Sequence, residues 1–179
     1  GSDRIEGTSN NDHINTLGGN DFVLTGDGND EVNGQFNFSL EWARSSVNYV
    51  PISGAIKAFL GRGDDYLLGS TGNDEIYGES GNDVLSVGDG NDRVEGNDGN
   101  DVIFGTENND TIDLLAGNDA VFGNGGNDAL FGNTGDDYLD GGAGADSLDG
   151  GTGNDNLSGG SGLDTYLFNP GFGHDSVTD

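Results

Sequence analysis

The sequence has no cysteine and no methionine, only two prolines, and only five basic residues among 179. Without cysteine there is no disulfide framework and no zinc–thiolate centre. Five Lys and Arg against 33 Asp and Glu leave a net charge of −28. A phosphate backbone needs clustered Lys and Arg, so nucleic acid is excluded as a direct partner, and anionic membrane surfaces are disfavoured. No apolar run approaches the roughly 18 residues that a membrane span requires, and no basic-then-apolar leader opens the chain. His-Glu-x-x-His and Gly-x-Ser-x-Gly are both missing. The two histidines, His13 and His174, stand at variable places beside an Asp and are expected to be ordinary exposed side chains. No catalytic residue is assigned, and the segment is not read as an enzyme, whatever activity a larger parent protein carries.

Glycine is abundant instead, with 36 residues. Low hydrophobicity with high net charge usually leaves a chain disordered, so order here needs a further source. That source is a period. From Leu60 to Leu167 the chain reads as twelve consecutive nonapeptides without insertion or deletion. The sixth residue of each is Asp: Asp65, Asp74, Asp83, Asp92, Asp101, Asp110, Asp119, Asp128, Asp137, Asp146, Asp155 and Asp164. Two residues later comes an apolar side chain: Leu67, Ile76, Leu85, Val94, Ile103, Ile112, Val121, Leu130, Leu139, Leu148, Leu157 and Tyr166. Two residues earlier comes Gly, except at Asn108. A short fixed period means a solenoid in which each repeat packs only on its neighbours.

A first block, residues 1–33, keeps the same phase with Asp12, Asp21 and Asp30, and with Ile14, Val23 and Val32 as apolar partners; Asp3 and Ile5 look like the tail of a further repeat. Residues 34–59 break the pattern, since Asp30 and Asp65 are 35 apart, one short of four repeats. The main block is 60–167. Residues 168–179 keep a Gly-x-Asp-x-Val core, but Asp175 lies eleven after Asp164, so this is read as a capping repeat.

Each nonapeptide divides into two parts. A stretch such as Gly69-Ser70-Thr71-Gly72-Asn73-Asp74 forms a turn, because Gly and Asn tolerate positive φ; Asn108 in a Gly place fits the same expectation. The next three, Glu75-Ile76-Tyr77, form a short strand with the middle side chain inward. Two repeats then make one coil, and residues eighteen apart stack.

Gly81-Asn82-Asp83-Val84-Leu85 and Gly153-Asn154-Asp155-Asn156-Leu157 resemble the glycine- and aspartate-rich nonapeptides of the RTX, or hemolysin-type, calcium-binding repeat, a pattern that is itself a standard example of repeat architecture. The closing Asp164-Thr165-Tyr166-Leu167-Phe168 and Gly171-Phe172-Gly173-His174-Asp175 are similar to the end of such an array. The resemblance covers about four-fifths of the chain, all but 34–59. It implies an all-β, right-handed parallel β-roll with Ca²⁺ between turns, and a secreted bacterial parent, extracellular or at the cell surface, exported by a type I system.

The residues point to calcium independently. Carboxylates and carbonyls are hard ligands, and Ca²⁺ takes six to eight of them at about 2.3–2.6 Å in loose geometry, where Mg²⁺ demands a tight octahedron. Helix-flanked EF-hand loops do not fit this chain. The expected metal residues are Asp3, Asp12, Asp21, Asp30, Asp175 and the twelve repeat aspartates. Stacking at eighteen pairs them, Asp65 with Asp83 and Asp74 with Asp92 onward, and about ten or more ions follow. About twelve divalent ions would take −28 near −4.

Outward residues split by sheet. One face carries Tyr66, Leu68, Val84, Val102, Phe104, Phe122 and Tyr138, a surface for a neighbouring domain or partner; the other carries mainly Glu75, Arg93, Glu95, Thr111, Asp113, Ser147 and Asp149. In 34–59, Phe36, Phe38, Leu40 and Trp42 alternate with polar residues, as a half-buried strand does. Either this segment stays within the roll or its Trp42 and Arg44 form a ligand site. The functional expectation is a calcium-folded secretion and stability module; an adhesion or ligand-binding module is the alternative, and the lack of an outward Thr ladder argues against an ice-binding roll.

Overall fold

The computed structural model describes residues 4–10, 12–15, 21–25, 31–33, 54–171 and 173–179. Its strands form two parallel sheets that the chain visits in strict alternation. The first sheet holds, in spatial order, Arg4–Glu6, Asp21–Leu24, Ile56–Phe59, Glu75–Tyr77, Arg93–Asp98, Thr111–Ala116, Ala129–Phe131, Ser147–Asp149 and Thr165–Leu167. The second holds His13–Asn15, Glu31–Asn33, Tyr66–Ser70, Val84–Gly88, Val102–Phe104, Ala120–Phe122, Tyr138–Gly144, Asn156–Gly162 and Ser176–Thr178. This is an all-β solenoid, a β-roll with two repeats per coil. Among the described residues no helix is long and apolar enough to cross a membrane.

The eighteen-residue register holds through the main block. Ile103 pairs with Leu85 on one side and Val121 on the other, and Ile112 pairs with Val94 and Leu130. Strand alternation sends each middle side chain between the sheets, and from Leu67 to Leu157 these residues are essentially inaccessible. Each contributes about 1.5–3 kcal/mol by burial. A second set of core residues comes from the first place of the nonapeptide, usually Gly: Leu60, Val87 and Leu114 are also fully buried. The +2 apolar rule missed them, although an aliphatic residue five before the repeat Asp was the available signal.

The irregular stretch ends in a regular rung. Ile56–Phe59 pairs with both Asp21–Leu24 and Glu75–Tyr77, setting Ala58 between Val23 and Ile76. From inward Val32 to inward Ala58 is 26 residues where nine is the rule, so 17 extra residues are accommodated without changing which sheet follows which. The rung has no repeat Asp; Ile56 stands opposite Asp21 in that place. Trp42, Arg44 and the Phe36–Leu40 alternation lie outside the described residues. At the other end, Leu157 pairs with Val177 at an offset of twenty, so the longer spacing to Asp175 is taken up in the connection and the strand still adds to its sheet.

The outer faces carry aromatic ladders. Phe104 stacks on Phe122 at 5.3 Å between ring centroids, and Phe122 meets Tyr138 at 5.5 Å. Tyr66, Val84, Phe104 and Tyr138 are each more than a third exposed. The opposite sheet has its own ladder, Phe22–Phe59–Tyr77, with Lys57 over both Phe59 and Tyr77. Phe59 belongs to the rung without a repeat Asp, which is why periodicity did not reveal this second ladder.

Candidate metal centre

The repeat aspartates form two files, one along each edge of the roll. In every coil of the main block a carboxylate reaches back to the coil before it. Asp65, Asp83, Asp101, Asp119 and Asp137 each donate a backbone N–H to Oδ1 of the Asp eighteen residues on, at 2.7–2.9 Å. Asp155 completes that file by donating to Asp175 at 3.1 Å. On the other edge Ile56 donates to Asp74, and Asp74, Asp92, Asp110, Asp128 and Asp146 donate to the next in line, ending at Asp164. The two stacks read from spacing are thus physical files. Asp12 is held by its own turn, where Thr8 N–H donates to Oδ2 at 2.6 Å. Asp21 takes its place in a strand opposite Ile56, and Asp3 and Asp30 lie outside the described residues. His13 and His174 are exposed, as expected.

A carboxylate has two oxygens, and the second is the informative one. Oδ2 of Asp83, Asp92, Asp101, Asp119, Asp128, Asp137, Asp146, Asp155 and Asp164 is buried with no hydrogen-bond partner. All of these residues but Asp164 are at most 3% exposed. Burying an ionised oxygen without a partner is costly, and the visible ion pairs do not offset it: Arg4–Glu6, Lys57–Glu75 and Arg93–Glu95 all sit on the outer faces. Burial accordingly drives the acids upward from the usual 3.8. Asp92 reaches about 8, Asp83, Asp128 and Asp137 about 7, and Asp101 and Asp119 about 6. In each case desolvation dominates and the ladder hydrogen bond only partly opposes it; for all of these but Asp101, neighbouring aspartates add to the rise.

The unpartnered oxygens face space that a missing side chain leaves free. A Cβ on Gly78 would lie 2.5 Å from Asp83 Oδ2 and 2.6 Å from the Gly96 carbonyl oxygen; one on Gly96 would lie 2.6 Å from Asp101 Oδ2 and 3.0 Å from the Leu114 carbonyl oxygen. A hard cation is satisfied by such a mixture of carboxylate and carbonyl oxygens. Among the described residues no three His, Asp or Glu side chains converge on one point, so main-chain carbonyls would supply the remaining ligands. The residues fit a calcium ion in chemistry: hard donors, anionic charge, and an open oxygen in each of nine turns.

The turns themselves are of two kinds. In the nine with an unpartnered Oδ2, the residue four before the Asp is left-handed: Glu79, Gly88, Asn97, Leu115, Asn124, Asn133, Gly142, Gly151 and Gly160 have φ between 68° and 96°. Ser70 and Thr106 in the same place are not left-handed, and neither are Gly72 and Asn108 two residues on. This corrects the expectation for Asn108: it does not stand in for Gly at positive φ, because its turn has another conformation. There the N–H of Ser70 reaches Asp74 Oδ2 at 2.8 Å and that of Thr106 reaches Asp110 Oδ2 at 3.3 Å.

The model of the RTX calcium-binding nonapeptide repeat family matches the chain in four copies, over residues 1–32, 59–94, 95–130 and 131–166. Among curated proteins none matches the chain. The matched stretches hold both files of aspartates up to Asp164, and the residues between the first two copies, 33–58, overlap those that leave the nonapeptide period.

Proposed function

The chain belongs to the family of RTX calcium-binding nonapeptide repeats, and from that premise we propose that it is a calcium-folded module of a larger secreted protein. The observation that carries this reading is the row of buried Oδ2 atoms without a partner. Charge of one sign, removed from water and unpaired, opposes folding; a divalent ion between coils turns the same oxygens into ligands, and its binding free energy becomes folding free energy. Cytosolic calcium would leave the chain open for export, and extracellular calcium would close it. The family is a structural repeat, and the chain's own residues hold, orient and bury ligands without any assigned catalytic part.

Calcium titrated into metal-stripped protein should produce a cooperative coil-to-β transition in far-UV circular dichroism. Several ions should bind per chain, up to about ten as the stacked carboxylates allow. Full β structure at neutral pH without metal, or one or two bound ions, would overturn the reading.

The Phe104–Phe122–Tyr138 ladder favours a second role for the module, as a contact face for a neighbouring domain or partner. Exposed aromatic rows of this kind are disfavoured on a surface that meets only water. A Phe104→Ser, Phe122→Ser variant should keep its calcium-dependent transition while losing that association in pull-down from the native secretion mixture. Retained association would remove the ladder from this role.

A further inference from the structure

The two turn conformations described above make the repeat turns of this chain inequivalent. We infer that the second residue of each nonapeptide decides whether its aspartate is open to a cation, and that Ser70 and Thr106 close the turns of Asp74 and Asp110. This rests on the calcium reading above and sharpens it.

Two observations meet. Wherever the second residue is left-handed in the nine turns described, its N–H does not reach the carboxylate, and Oδ2 is buried and unpartnered. Where it is Ser70 or Thr106, the N–H points at Oδ2. A donor hydrogen then carries partial positive charge in the space where a cation would have to stand, and the oxygen already has a partner. The hydroxyl closes the turn a second way. Ser70 Oγ donates to the Gly54 carbonyl of the preceding coil, and Thr106 Oγ1 donates to the Gly88 carbonyl at 2.8 Å. Each ties its turn to the preceding coil without a metal ion. Thr8 repeats the N–H contact at 2.6 Å, and its hydroxyl donates to the same Asp12 Oδ2 at 3.0 Å instead of to a carbonyl.

The choice of residue has a physical basis. Left-handed φ suits Gly and Asn and is poor for a β-branched side chain, while Ser and Thr hydroxyls readily cap nearby backbone groups. Thr8-x-Asn10 and Thr106-x-Asn108 share a spelling that Ser70-x-Gly72 does not, so a hydroxyl residue at the second place is the common mark of the closed class. Closed turns hold their coils without metal, and open turns wait for it. The roll therefore binds fewer ions than its count of stacked aspartates.

The test is ion stoichiometry of the full chain at saturating calcium, read by native mass spectrometry, with circular dichroism confirming the fold. Asp110→Asn should leave the number of bound ions unchanged, while Asp101→Asn should lose at least one. The double variant Thr106→Asn, Asn108→Gly, which gives its turn the residues of an open one, should gain an ion. An Asp110→Asn variant that loses ions as Asp101→Asn does, or a double variant with an unchanged count, would overturn the inference. A natural chain that binds no calcium at all would overturn the functional reading first, and this with it.

Discussion

Metal-stripped protein should hold most β structure near pH 4 and lose it progressively as the pH rises from about 4 to about 8. The direction follows from burial. Asp92, Asp83, Asp128 and Asp137 titrate near 7 to 8 in the folded chain against 3.8 in an open one. A group whose folded value is raised stabilises the fold while it is protonated and withdraws that support once it ionises; the unfolded chain gives up its protons earlier and more cheaply. The loss opens near 3.8, where the open chain ionises, is complete near 6 for Asp74, Asp101 and Asp119, and continues to about 8 for Asp92. Saturating calcium should abolish the effect across the window, because ions replace protons at the same oxygens, and binding should release protons to the buffer. Screening of the −28 net charge makes a competing account, and salt separates the two. About 1 M sodium chloride shortens the Debye length to roughly 3 Å and would restore β structure at pH 8 if repulsion between exposed charges were the cause. Desolvation leads in every one of these carboxyls, so salt should restore little. Circular dichroism against pH, with and without calcium and salt, decides; a metal-free β signal that grows toward pH 8 would refute the burial argument.

Gly117→Ala should abolish the calcium-dependent fold across the middle coils. Gly117 has φ of 151°, and a Cβ there would fall inside the Gly99 carbonyl oxygen of the coil before it. Gly99 approaches Gly81 in the same way, as Gly135 approaches Gly117 and Gly153 approaches Gly135. These glycines form a column along which the coils touch backbone to backbone. The obstructing atoms are main-chain, so no rotamer change relieves the clash; the coils must separate. Separation breaks the Asp101–Asp119 hydrogen bond, beyond the ~1–3 kcal/mol that a non-glycine residue pays for so sparsely populated a backbone conformation. The expected result is a shift of the calcium midpoint by more than tenfold, or no transition at all. An unchanged midpoint would show that the coils can part there at little cost.

Much of this was visible in the sequence. A strict period of nine with an acid at the sixth place and an aliphatic residue at the eighth dictates register, facing and stacking together, and both files of aspartates followed from it. What escaped detection departs from the period in substance while keeping it in space. Ile56–Phe59 is a rung whose acid is replaced by Ile56 and whose inward residue is only Ala58. No hydrophobic pattern marks so small a core residue, and only its neighbours Val23 and Ile76 identify its place. Leu60, Val87 and Leu114 were hidden because their place in the nonapeptide is normally Gly. The two turn classes depend on where a single N–H points, which is a contest between backbone conformation and a hydroxyl cap, and Asn108 alone could not reveal the outcome.

The alternation of sheets also constrains how such a gene can change length. Because neighbouring nonapeptides occupy opposite faces, loss or duplication of one would transpose everything beyond it, sending the Phe104–Phe122–Tyr138 row to the face where Glu75, Arg93 and Glu95 now lie, and swapping the two files of aspartates. Gain or loss of a pair leaves every face as it was. Parity is thus a heritable property of the roll, and the 17 additional residues before Ile56–Phe59 respect it by adding chain without adding a half-coil. Slippage in steps of eighteen codons lengthens the protein silently, whereas a step of nine remakes its surface.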